Sequence, residues 1–134
     1  MSFENLGLQE AITRAVRDAG YTQATDVQQH AIGPALNGAD LMVSARTGSG
    51  KTAAFILPAL QRVLAARAAM AGQRRDRNQP QGPRVLVLTP TRELALQVAR
   101  AAETYGKFLK RLRIVAAVGG APLHVQAKLL SQPV

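Results

Sequence analysis

Residues Ala45-Arg46-Thr47-Gly48-Ser49-Gly50-Lys51-Thr52 have the types and spacing of a phosphate-binding loop. Gly48 and Gly50 let backbone N–H groups converge on phosphate oxygens, and a helix opening at Lys51 adds the positive end of its dipole. Lys51 supplies charge to the β and γ phosphates of a nucleotide, and the Thr52 hydroxyl can ligate Mg²⁺. The strict pattern begins with Gly, and here Ala45 takes that place. Context restores the reading, because a short apolar run leads in and a helical pattern leads out. A second anion-binding geometry is offered by Pro90-Thr91-Arg92. This tripeptide leaves one apolar run and opens a helix, so its N–H groups and the Arg92 guanidinium are poised for negative charge.

The elements that must position these residues alternate. Leu8, Ile12, Ala15, Val16 and Ala19 recur at helical spacing before Gly20, which predicts a helix over 8–19. Thr25 can cap a second helix over 26–37, with Asp26 in its first turn and Gly38 beyond its end. Leu41-Met42-Val43-Ser44 reads as a buried strand, and 51–70 as a long Ala/Leu helix kinked at Pro58. Strands are expected again at 85–89 and 114–118, and helices at 92–109 and 122–130. Short apolar strands alternating with helices predict an α/β fold, a mostly parallel sheet flanked by helices. Between them, 71–84 is polar, basic and broken by Pro and Gly, the composition of a flexible surface loop.

Charge is distributed unevenly. The net charge is +9, but residues 1–60 carry −1 and residues 61–134 carry +10. Such a basic half suits a polyanionic partner, nucleic acid above all, although an Arg-rich solvated surface gives the same arithmetic. The absence of Cys excludes disulfide scaffolds and Cys-ligated metal sites. No apolar run approaches the ~20 residues of a membrane span, and MSFENLGLQE lacks a basic leader, so a cytoplasmic protein without a membrane partner is expected. His30 and His124 are isolated and receive no site.

Three stretches in order, Gly20-Tyr21…Thr25-Asp26-Val27-Gln28, Thr47–Thr52 and Pro90-Thr91-Arg92-Glu93-Leu94-Ala95, together resemble the DEAD-box family of ATP-dependent RNA helicases. Val118-Gly119-Gly120 stands where that family has a double-glycine element, so the resemblance runs from Phe3 to Gly120. It implies the N-terminal RecA-like domain, incomplete in this chain, with 1–38 the adenine-recognition segment and 39–134 the phosphate-loop core. It implies ATP and Mg²⁺ as cofactors and RNA as partner. By resemblance Gln28 reads adenine, with an amide that can pair with both the exocyclic amine and N7. Phe3 matches the aromatic that stacks on adenine, with core packing as its other reading, and Tyr21 helps shape the same pocket. Thr91, Arg92, Gly119 and Gly120 are implied to meet the RNA sugar–phosphate backbone, contacts blind to sequence. Read alone, the two glycines also fit an ordinary turn.

Departures from the family pattern are informative. Asp26 replaces a usual Pro, and Gly33 precedes Pro34 where Pro commonly comes one position earlier. No two acidic residues are adjacent, so the Asp-Glu-Ala-Asp box is absent, together with the Ser-Ala-Thr element and the second RecA-like domain. Hydrolysis needs carboxylates for Mg²⁺ and for the attacking water. The full-length protein is therefore read as an ATP-hydrolysing RNA helicase, and this chain by itself as inactive. A P-loop ATPase of another class remains open, although it gives no reason for Gln28 or Pro90-Thr91-Arg92. So does a non-catalytic nucleotide- or RNA-binding piece. Arg74-Arg75-Asp76-Arg77 reads either as an RNA tether or as solvated charge. Lys107, Lys110, Arg111 and Arg113 gather at a helix end, where they also complement its dipole.

Overall fold

The computed structural model describes residues 2–69, 82–131 and 134. A 3₁₀ turn at Phe3–Asn5 precedes five helices: α1 (Glu10–Asp18), α2 (Asp26–Leu36), α3 (Lys51–Ala69), α4 (Arg92–Tyr105) and α5 (Leu123–Leu130). The expected loop at 71–84, with its Arg74–Arg77 cluster, lies outside the described residues except for 82–84.

Helix α1 buries Ile12, Ala15 and Val16 on one stripe and exposes Arg14, Arg17 and Asp18 on the other. It starts later than the apolar spacing suggests, because Gln9 is its N-cap. The Gln61 side chain of α3 fixes that entry: its Oε1 accepts from Gln9 N–H at 3.0 Å, and its Nε2 donates to Gly7 C=O at 3.5 Å. Helix α2 begins where Thr25 predicts, with a complete capping box. Thr25 Oγ1 accepts from Gln28 N–H, and Gln28 Oε1 accepts from Thr25 N–H. Such a cap is worth about 1 kcal/mol.

Helix α3 is the element on which α1, α2 and α4 pack. It buries Ile56, Leu57, Leu60 and Val63 and runs without interruption through Pro58, itself buried. Burying each such aliphatic side chain contributes about 2 kcal/mol. Phe3, Ile12, Val16, Ile32 and Val98 close the same core.

Helix α4 stops at Tyr105, short of the expected 109, because Gly106 ends it and Leu109 folds back into the core. Gly106 leaves no room for anything larger. A Cβ there would run into the Leu112 side chain, stand 2.8 Å from Ala102 C=O and 3.3 Å from Leu60 Cδ2. Arg67, near the end of α3, donates from Nη1 to Lys110 C=O and from Nη2 to Arg111 C=O, the latter at 3.0 Å. That grip holds Arg111 in a left-handed conformation, φ 58°.

The expected strands at 41–44, 85–89 and 114–118 do not pair into a sheet among the described residues, where the one β-bridge joins Ser2 to Gln23. The reason is missing cover. Parallel strands need both faces buried, yet Met42 is fully exposed, and Leu86 and Leu88 are 74% and 85% exposed. Helix α5 likewise has no buried residue.

Two tests follow from the α4 terminus. Gly106→Ala is expected to cost on the order of 2 kcal/mol or more in denaturant unfolding, since the backbone carbonyl of Ala102 cannot step aside. Tyr105 concerns pH. Burial, and to a lesser degree the charge of Tyr21 beside it, pushes the Tyr105 phenol above its ordinary value. The folded state then holds the phenolic proton longer than the unfolded chain. Stability is intact below the unfolded value near 10 and falls as pH rises through the raised folded one. Melting temperatures taken from pH 9 upward should drop less steeply in Tyr105→Phe.

Candidate functional site

The loop after residue 44 is closed by two hydrogen bonds to its own backbone. Ser49 N–H donates to Arg46 C=O at 3.1 Å, closing the turn across Thr47 and Gly48. Lys51, first residue of α3, reaches back and donates from Nζ to Ala45 C=O at 2.9 Å. Lys51 thus spans the whole loop from its last residue to its first. Thr52 follows half-buried in the first turn of the helix. The Ser49 hydroxyl is buried and has no hydrogen-bond partner among the described residues. Open space lies beside Gly48, with no atom within 4 Å of where a Cβ would stand. An orphaned hydroxyl, an open glycine and a helix N-terminus carrying a lysine form a donor set that fits a polyphosphate.

Gln28 joins this loop directly. Its Nε2 donates to Gly50 C=O at 3.1 Å while its Oε1 accepts from Thr25 N–H at 2.9 Å. Gln28 is 5% exposed, and both bonds are partly shielded from water. Gly50 is required here twice over. Its φ is +85°, and a Cβ would collide with the Gln28 amide and stand 3.1 Å from Thr25 Oγ1. One N–H and one lone pair of the Gln28 amide remain for a ligand.

The two aromatic residues of the adenine expectation sit differently. Phe3 is 4% exposed and belongs to the hydrophobic core. Tyr21 is exposed, and its ring is tilted at 57° to that of Tyr105, centroids 6.5 Å apart. A cavity of about 540 Å³ lies between the first turns of α2 (Asp26, Val27, His30, Ala31) and residues 41–45 with Ser49; Gln28, Lys51 and Thr52 do not line it. His30 Nδ1 is 2.8 Å from Asp26 C=O, a contact within its own helix. No cluster of three metal-ligating His, Cys, Asp or Glu side chains exists among the described residues.

Thr91 is the N-cap of α4, its Oγ1 accepting from Leu94 N–H at 3.2 Å. Arg92 is exposed on the next residue, and no carboxylate among the described residues pairs with it. Its guanidinium rests against Gly120, at the place a Cβ would fill. The structure therefore brings together Arg92 and the double glycine, which are far apart in sequence. What the sequence reading missed is the support beneath that turn, Gln126 of α5. Its Oε1 accepts from Val118 N–H at 2.7 Å and its Nε2 donates to Ala121 C=O at 3.2 Å. A lone glutamine in a short helix gives no signal of such a role. At the far end of α4 the basic residues are partly occupied: Lys107 pairs with Asp18 at 3.1 Å, and Arg14 lies over the Phe108 ring.

The chain is similar to known proteins over nearly its whole length. A rice protein, "DEAD-box ATP-dependent RNA helicase 52A" (Oryza sativa subsp. japonica), is 44% identical over 133 residues, covering 97% of this chain and 22% of that protein. "ATP-dependent RNA helicase DeaD" of Escherichia coli (strain K12) is 40% identical over 131 residues, 98% of this chain and 19% of that one. The chain thus spans about a fifth of the length of the curated relatives it matches. Among solved structures, a DEAD box protein from the hyperthermophile Methanococcus jannaschii superposes with a TM-score of 0.76 at 37% identity, covering 97% of this chain and 32% of that chain. The RNA-helicase Prp28 from Chaetomium thermophilum bound to ADP gives the same TM-score and identity, over 97% and 30%. These neighbours are RecA-like domains, so the fold is of the α/β RecA-like class although its sheet is not laddered among the described residues. No described helix is long and apolar enough to cross a membrane. With the DEAD/DEAH box helicase profile matching residues 25–134, the chain belongs to that family.

Proposed function

We propose that this chain is the ATP- and RNA-contacting part of an ATP-dependent RNA helicase, coupling ATP hydrolysis to RNA duplex unwinding in the whole protein. The observation that carries the reading is the hydrogen bond from Gln28 Nε2 to Gly50 C=O. It links the residue expected to read a base to the loop expected to hold its phosphates, which a surface glutamine and a Gly-Ser turn would have no reason to do. The relatives are named as ATP-dependent RNA helicases, and one structural neighbour is bound to ADP.

Residues Ala45–Thr52 would hold the phosphates, and Thr52 would ligate Mg²⁺. Bound ATP–Mg²⁺ would supply the phosphoanhydride to be cleaved and a cation to neutralise its charge. The chain's own residues bind and orient. Lys51 Nζ exchanges its Ala45 acceptor for a more negative phosphate oxygen, a charge-assisted bond roughly twice as strong as a neutral one. Ser49 gives its unpaired hydroxyl a partner. Gln28 keeps its two protein bonds and presents its remaining N–H and lone pair to the adenine edge, with Tyr21 shaping the pocket and Phe3, the residue expected to stack on adenine, buried in the core. Thr91, Arg92, Gly119 and Gly120 meet the RNA backbone. A cytoplasmic location accords with this role.

Gln28→Glu tests recognition, with ATP set against GTP as the readout that a loss of stability alone would not change. The carboxylate still accepts from Thr25 N–H, but it cannot donate to Gly50 C=O. Equilibrium binding should show ATP affinity reduced about tenfold and the preference over GTP eroded, and the melting temperature should fall too, because a buried carboxylate then faces Gly50 C=O. Unchanged discrimination between ATP and GTP would remove Gln28 from the site. Lys51→Ala should weaken triphosphate binding and abolish turnover in the full-length protein with the fold retained. ATPase activity undiminished in that variant would end the assignment of the phosphate loop.

A further inference from the structure

The double-glycine turn should be one of the loosest places in the chain. Two successive glycines carry the largest backbone freedom to be lost on ordering. Yet this turn has a definite shape: Gly120 stands at φ +84°, and the Arg92 guanidinium lies where its side chain would be. The hydrogen bonds that flank the two glycines both come from one side chain. Gln126 Oε1 takes Val118 N–H on one side, and Gln126 Nε2 gives to Ala121 C=O on the other. Helix α5 buries none of its residues, so packing does not explain why Gln126 is turned inward.

We propose that Gln126 is a positioning residue for RNA-backbone binding: by stapling Val118 to Ala121 it fixes the Gly119–Gly120 turn as a platform that aims the Arg92 guanidinium at a phosphate. This rests on the RNA reading above. An arginine without a carboxylate partner samples many rotamers, and holding its planar head on a fixed glycine surface reduces the freedom lost when a phosphate binds. Gln126 itself touches no RNA. Its effect is transmitted through the turn.

The test is binding of a single-stranded oligouridine to the chain by fluorescence anisotropy across a salt series. Each phosphate contact of a single strand contributes about 0.7 to the slope of log affinity against log salt. Arg92→Ala should lower that slope by about this amount. Gln126→Ala should lower it equally, and the double variant should lose no more than either single one. Gly120→Ala leaves both Gln126 bonds possible but puts a methyl group in the guanidinium's place, and it should show the same non-additive loss. Amide exchange at Val118 should accelerate in Gln126→Ala and not in Arg92→Ala, a readout independent of RNA. If Arg92→Ala lowers the slope while Gln126→Ala keeps it, or if the two losses add, Gln126 does not position Arg92 and the proposal is overturned with the RNA reading intact. If the unaltered chain shows no salt-dependent binding, or Arg92→Ala matches it, the RNA reading fails and the proposal fails with it.

Discussion

A buried amide that bridges Thr25 N–H and Gly50 C=O sets the geometry on which the candidate site depends. Gln28 caps one helix and holds the loop that opens another. Because Gln28 is buried, removing either partner leaves part of its own amide desolvated and unpaired. The constraint propagates outward. Gly50 can be nothing larger, α2 must lie against α3, and the start of α3 is placed with the phosphate loop attached.

The same device recurs. Gln61 bridges Gln9 N–H and Gly7 C=O, and Gln126 bridges Val118 N–H and Ala121 C=O. Each glutamine uses its carbonyl for a backbone donor and its NH₂ for a backbone acceptor, at a bend next to a helix terminus. A charged side chain of the same length offers one half of that exchange. The chain has neither Cys nor Trp, and its loops are tied by neutral amides rather than by disulfides or large rings.

Much of this was legible in the sequence. Apolar spacing, capping and composition located the five described helices, and the openings of α2, α3 and α4 fell at the expected residues. The phosphate loop was legible because its glycine and lysine spacing has few other uses. The ends were less so: α1 began late because Gln61, distant in sequence, caps its entry, and α4 stopped early because Gly106 meets Leu60 and Leu112. The strand expectations rested on apolar runs, which report burial but not the neighbours that must supply a ladder. Gln28 was read as a ligand contact, but its role as capping and loop-holding residue required knowing what it touches. Phe3, placed in the core, shows the converse: an aromatic residue type is compatible with stacking and packing alike.

Pro58 sits seven residues into α3 and lacks the N–H that would have bonded to Ala54 C=O. Nineteen residues at about 1.5 Å each make α3 a rod of roughly 28 Å, with the phosphate loop at one end and Arg67 gripping residues 110–111 near the other. Compliance in such a rod is concentrated where its ladder is open. Ala53, Ala54, Ile56 and Leu57 are buried before Pro58 as Leu60 and Val63 are after it, so side-chain packing, not the backbone ladder, carries the rod across that gap.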